Sequence, residues 1–202
     1  MNSKKAFLLL NGSEPSELPD LSNYNFVCVT DGAFDFIKTK NIQPDIVTGD
    51  FDSINSNLDQ VEFIETPNQE FTDFDKALSL LYSKGYKTID VYGADGKEQD
   101  HFLGNISTAL QWKNKLNIKF IDDYGRYFFL DKTVLLSDVL NKTISLIPFP
   151  SANGIVTEGL LYPINNETLI FGRRIGTRNK AVKKDVKISF TRGALLVYLS
   201  HH

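Results

Sequence analysis

The sequence predicts an α/β protein, a parallel sheet covered by helices and followed by a smaller all-β region, and three observations carry that expectation. Up to about residue 122, apolar runs of four to six residues alternate with amphipathic stretches of ten or more, the pattern of strand and helix in turn. Beyond about Tyr127 the helical period disappears, leaving short strand-like runs separated by Asn-Gly, Asn-Asn and Arg-Gly turns. Charge divides in the same way. Residues 1 to 130 carry 12 basic and 20 acidic side chains, and residues 131 to 202 carry 10 basic and 5 acidic ones. The domains are therefore expected at 1–126 and 127–202, with the border between Asp122 and Asp131.

The first strand is expected over Ala6 to Leu10, ended by Asn11-Gly12, and the second over Phe26 to Thr30. Cys28, the single cysteine, lies inside that second apolar run, so no intrachain disulfide can form and a buried reduced thiol is expected. A helix over Ala33 to Lys40 then leads to strands at Asp45 to Thr48 and Glu62 to Glu65. The helix over Asp73 to Lys84 is the clearest element. Thr72 suits an N-cap, Phe74, Ala77, Leu78 and Leu81 form one apolar face, and Gly85 ends it. A strand at Ile89 to Tyr92, a helix at His101 to Lys113 and a strand at Ile118 to Ile121 complete the alternation. In the second region Thr143 to Pro148, Thr168 to Phe171, Lys187 to Phe190 and Ala194 to Leu199 read as strands of a small β-sandwich or barrel.

At 202 residues, with 42% hydrophobic and 23% charged side chains, the composition excludes a disordered or fibrous chain. No run approaches the roughly 20 apolar residues of a membrane span, and the apolar run after Lys4-Lys5 is too short for a signal peptide, so the cytoplasm is the expected location. Neither a P-loop nor a Gly-x-Gly-x-x-Gly fingerprint occurs. His201-His202 is left out of the fold argument.

The chemistry concentrates in Pro44 to Ile54, where a short apolar strand ends in Asp50 and Asp52. In extended chain, residues i and i+2 point to one side roughly 6.6 Å apart, so both carboxylates can reach one cation. Asp31, Asp35, Asp45, Asp50, Asp52 and Asp59 fall within 29 residues that hold only Lys38 and Lys40 as cations. Two carboxylates brought together repel by about 3 kcal/mol at an effective dielectric near 20, which a bound cation relieves. Ligands of parallel sheets bind outside the carboxyl ends of the strands. Asp31, Asp50, Asp52, Asp73 and the run Gly93 to Asp100 all belong at those ends.

Taken in order, these motifs resemble the thiamine pyrophosphokinase family. They are Asp31-Gly-Ala, Pro44-Asp45 with Gly49-Asp50-Phe-Asp52-Ser53, and Thr66-Pro-Asn-Gln69-Glu-Phe-Thr72-Asp73-Phe-Asp-Lys76. Gly93-Ala-Asp-Gly96 through Asp100-His101 follows, then Ser145-Leu-Ile-Pro148 and Thr157-Glu-Gly159-Leu-Leu-Tyr162-Pro163. The resemblance implies a three-layer, Rossmann-like nucleotide- and magnesium-binding domain followed by a thiamine-binding β-sandwich. It also implies a homodimer with its active sites at the subunit interface. The activity would be transfer of pyrophosphate from ATP to the hydroxyl of thiamine, with magnesium as cofactor and no membrane or nucleic-acid partner. On this resemblance Asp50, Asp52 and Asp73 serve magnesium, and with Asp100 they form the catalytic set. Asp31, Ser53, Thr72, Lys76, Lys97 and His101 fall to ATP and its phosphates, and Gln69, Tyr162 and Asn179 to thiamine. A carboxylate such as Asp73 or Asp100 could accept the hydroxyl proton, and neither spacing nor the resemblance assigns the base. Tyr162, on residue type alone an ordinary core aromatic, falls where an aromatic would cover the thiazolium.

Two positions depart from the family pattern. Glu98 stands where an arginine is expected, so Lys97 is the expected substitute as a point charge on phosphate. Arg178 stands in place of a serine beside Asn179, inside a segment, Arg173 to Arg192, with eight basic residues against Asp185. A solvated face, a phosphate-facing loop and a nucleic-acid patch are the readings of that segment. These departures leave open a kinase of another hydroxylated heterocycle or a catalytically weak binding paralogue.

Overall fold

A computed structural model describes residues 4–49, 62–65 and 70–202, which fall into two compact units, Met1–Asp123 and Tyr124–His202. In the first unit β1 (Lys5–Leu9), β2 (Phe26–Thr30), β3 (Ile46–Gly49), β4 (Glu62–Glu65), β5 (Thr88–Tyr92) and β6 (Asn117–Ile121) pair in parallel in the order β4-β3-β2-β1-β5-β6. Sheets of this kind are covered on both faces, which is why the central strands are apolar without alternation. In β1 every residue after Lys5 is buried, and in β3 all four are.

Among the described residues three α-helices connect the strands. A 3-10 turn, Asp31–Ala33, feeds α1 (Phe34–Thr39), which is shorter than predicted because its entrance is wound more tightly. Phe34 and Ile37 of α1 join Phe7, Leu9, Val29, Val47 and Tyr92 in one core. Next comes α2 (Asp73–Ser83), built as the sequence indicates: Thr72 Oγ1 accepts the Asp75 N–H at 3.2 Å, and Phe74, Ala77, Leu78 and Leu81 are buried against β2 and β3. Full burial of a leucine stabilises by about 2 kcal/mol, so Leu78 and Leu81 hold this helix more than propensity does. Gly85 ends the helix at φ 87°. Starting two residues before the predicted His101, α3 (Gln99–Trp112) takes Asp100 into its first turn.

From β1 the chain moves outward to β4 and then returns to place β5 on the other side of β1. The direction of winding therefore reverses between β1 and β5, the position where α/β sheets open a crevice at their carboxyl edge.

The second unit consists of antiparallel strands β7 (Gly125–Leu130), β8 (Thr133–Leu136), β9 (Thr143–Glu158), β10 (Asn165–Ile170), β11 (Gly176–Lys180), β12 (Val186–Ser189) and β13 (Arg192–Ser200). The 16-residue β9 organises it, pairing with β10, β11, β12 and β13 around Ile144, Leu146, Ile155, Leu169, Val186 and Val197. The sequence reading finds only the first six residues of β9, since Pro148, Pro150 and Gly154 read as strand breakers. It misses β7, β8 and β11 altogether. The segment Gly176-Thr-Arg-Asn-Lys180 has no apolar alternation, and it is a strand because Asn179 and Lys180 pair with Ile144 and Thr143.

Candidate active site

Asp50, Asp52, Ser53 and Gln69 lie outside the described residues. The structure does show how the chain arrives at Asp50. A Cβ on Gly49, the last residue of β3, would lie 2.2 Å from the Asp31 carboxylate, so that carboxylate rests directly on the Gly49 backbone. Asp31 is 7% exposed, and its Oδ1 accepts the N–H of Gly32 at 2.6 Å. The sequence thus places Asp31 after β2 and the Asp50 motif after β3. The fold brings the first against the start of the second.

At the entrance of α2, Thr72 caps the helix, and Lys76 Nζ lies 3.2 Å from Asp73 Oδ1. The Lys76 side chain is 11% exposed and Asp73 46%, so a mostly buried ammonium presents a half-open carboxylate. The same turn is fixed from α3, where the Trp112 indole N–H donates to Asp75 Oδ1 at 2.5 Å. Sequence reasoning did not single out Trp112 or Asp75. A lone tryptophan closing a helical period was their only signal.

The loop after β5 is sewn to the segment after β1 by Gly12 N–H to Gly93 O at 2.7 Å and Ser13 N–H to Asp95 O at 2.6 Å. Burial, then the neighbouring Asp122 and Asp123, push the Asp95 carboxyl above its ordinary range. Lys97 takes a left-handed backbone and donates its Nζ to Asn11 Oδ1 at 2.7 Å. Glu98 faces His101, with 3.7 Å between Oε2 and Nε2. Asp100 Oδ1 accepts the His101 N–H at 2.9 Å, and Asn105 Nδ2 ties the helix to Ala94 O at 2.8 Å.

In the second unit Tyr162 and Asn179, 17 residues apart, are joined twice. Asn179 Oδ1 accepts the Tyr162 N–H at 3.1 Å, and its Nδ2 donates to Tyr162 O at 2.7 Å. Both line a cleft of about 190 Å³ with Pro163, Leu169, Ile175 and Thr177. The Tyr162 residue is 68% exposed, which rules out the core-aromatic reading of residue type alone. Arg174, also on the cleft, pairs with Glu167 and holds that carboxyl below its ordinary range. Arg178 adopts φ 55°, its N–H bonded to Ser145 Oγ at 3.0 Å, and its side chain is exposed.

The comparisons match both units of the chain. The chain matches the family model described as thiamin pyrophosphokinase, catalytic domain, over residues 20–120, and that described as the vitamin B1 binding domain of thiamin pyrophosphokinase over residues 132–195. It is 26% identical to thiamine pyrophosphokinase of Bacillus subtilis over 97% of this chain and 99% of that one. It is 28% identical to thiamin pyrophosphokinase 1 of Caenorhabditis elegans over 78% of this chain and 72% of the relative. A crystal structure of the Bacillus subtilis enzyme superposes with a TM-score of 0.84 at 25% identity, covering 96% of this chain and 98% of that chain. With both halves matched in order, this chain belongs to the thiamine pyrophosphokinase family.

Proposed function

We propose that the chain is a magnesium-dependent pyrophosphokinase that transfers the β,γ-diphosphoryl group of ATP to the hydroxyl of thiamine, releasing AMP. The observation that carries this reading is the seat of Asp31 on Gly49. There β3 ends against a carboxylate that is already buried, and Asp50 and Asp52 follow Gly49 in the sequence. Among the described residues no three His, Cys, Asp or Glu side chains converge as a metal site. The donors would be carboxylate oxygens, the chemistry magnesium takes. Asp50, Asp52 and Asp73 would hold the ion. When bound, it supplies charge neutralisation on the phosphate oxygens.

The protein's own groups do the rest. Lys76 sets the orientation of Asp73, and Thr72 fixes the helix entrance that carries both, with Ser53 and His101 beside the phosphates. The thiamine oxygen bonds to the β-phosphorus as the bridge between the α- and β-phosphates breaks. The hydroxyl proton passes to Asp73 or Asp100, and the leaving oxygen departs on AMP. We read the antiparallel second unit as a small β-sandwich that binds thiamine. Its cleft offers the exposed Tyr162 ring to the cationic thiazolium, and Asn179 holds the Tyr162 backbone. Gln69 falls to thiamine on the family resemblance alone. A second copy of the chain would complete each pocket in a cytoplasmic homodimer.

The comparisons favour thiamine over another heterocycle. Purified protein with thiamine, ATP and Mg²⁺ should yield thiamine diphosphate and equimolar AMP, lost on chelation. Thiamine monophosphate with ADP would overturn the diphosphoryl transfer, and thiamine binding without either product would make the chain a binding paralogue.

A further inference from the structure

Asn11 leaves β1 and Lys97 lies in the loop after β5, the two strands between which the winding of the sheet reverses. Lys97 Nζ donates to Asn11 Oδ1 across 86 residues of chain. Asn11 is braced from the other side by β2's loop: a Cβ on Gly32 would come within 2.2 Å of Asn11 Nδ2 and 2.6 Å of its Cγ. Only a residue without a side chain at position 32 lets the amide occupy this place.

The two lysines at this edge differ in their partners. The Lys76 ammonium is met by the Asp73 carboxylate, whereas the partner of Lys97 is a neutral amide, and among the described residues no carboxylate pairs with it. An ammonium has three donors, and Asn11 takes one of them. The remaining donors and the full positive charge stand at the crevice position of a doubly wound sheet, where anionic ligands bind.

We propose that Asn11 is a positioning residue for the phosphate end of the nucleotide, holding Lys97 in place without neutralising it. The inference rests on the nucleotide-transferase reading above and adds to it the residue that directs the Lys97 ammonium. The neutrality of the amide is essential. Aspartate at position 11 would pair with Lys97 and cancel its charge, and alanine would release the lysine to sample its many rotamers.

The test is calorimetric titration of ATP with magnesium into the full chain without thiamine, paired with steady-state kinetics. Asn11→Asp should weaken ATP binding about tenfold, Lys97→Ala by a similar factor, and the double variant no more than Lys97→Ala alone. Lys97→Arg should restore most of the affinity. The KM for ATP should rise by the same factor as the dissociation constant, while the KM for thiamine stays within about twofold. Wild-type affinity in Asn11→Asp, or losses that add in the double variant, would overturn the proposal. A wild-type chain that binds ATP but forms no thiamine diphosphate sinks the reading of its activity, and the titration still decides Asn11. A wild-type chain that binds no ATP sinks both.

Discussion

Trp112 donates its indole N–H to Asp75 Oδ1 at 2.5 Å, joining the last residue of α3 to the first turn of α2. The N–H of Asp75 is at the same time the donor capped by Thr72. Asp73 and Lys76 sit on that turn, so a contact outside the candidate site sets where a candidate metal ligand stands. Trp112→Phe should leave the Asp75 carboxylate without its donor and cost about 1–2 kcal/mol in urea denaturation. It should also lower kcat by more than stability accounts for, and an unchanged kcat would show that the turn is held by Thr72 alone.

Gly49 offers the sharper test of geometry. Since its added Cβ would lie 2.2 Å from the Asp31 carboxylate, Gly49→Ala must displace either Asp31 or the chain entering Asp50. A shift of about 1 Å at a reacting centre can cost on the order of 100-fold, so kcat should fall by that order. The thermal midpoint should move far less. Equal activity in Gly49→Ala would mean that Asp31 takes no part in the site.

In the middle of β5, Asp90 is 3% exposed and accepts from both Lys5 Nζ at 2.7 Å and the Tyr24 hydroxyl at 2.9 Å. Burial first, then Asp90, push the Tyr24 hydroxyl well above its ordinary range. Asp90→Asn leaves a partly exposed lysine unpaired, and after discounting for solvent it should cost about 2 kcal/mol. Tyr24→Phe should cost about 1 kcal/mol. Neither should change kcat or KM, because this cluster is a fastening and not part of the site.

Cys28 gives a pH dependence. Complete burial pushes its thiol up to about 12 from an ordinary 9.0. The folded protein keeps the proton that the unfolded chain releases, so the stabilising contribution is full below pH 9 and is lost as pH rises towards 12. Across that window the wild type should lose stability faster than Cys28→Val by up to about 1.4 kcal/mol per pH unit. The native thiol should also resist disulfide exchange, and a rapidly modified Cys28 would contradict its burial.

Helix α2 was legible from the chain alone, because the Thr72 cap, the four-residue apolar face and the Gly85 stop are all interactions among near neighbours. The parallel strands were legible for a related reason: a strand buried on both faces must be apolar throughout. Motif order likewise identified the family from Asp31 to Pro163. Strand β11 was not legible, since its residues become a strand only by pairing with β9, 30 to 37 residues away. The same holds for Asp31 on Gly49, Trp112 to Asp75, Tyr162 with Asn179, and Lys97 on Asn11. Sequence by itself determined the elements and the kinds of chemical group at their ends, since local backbone preference and burial period are written in consecutive residues. Which of those groups meet was decided only by tertiary structure, because a side-chain contact depends on strand order, and strand order is set by the packing of the whole sheet.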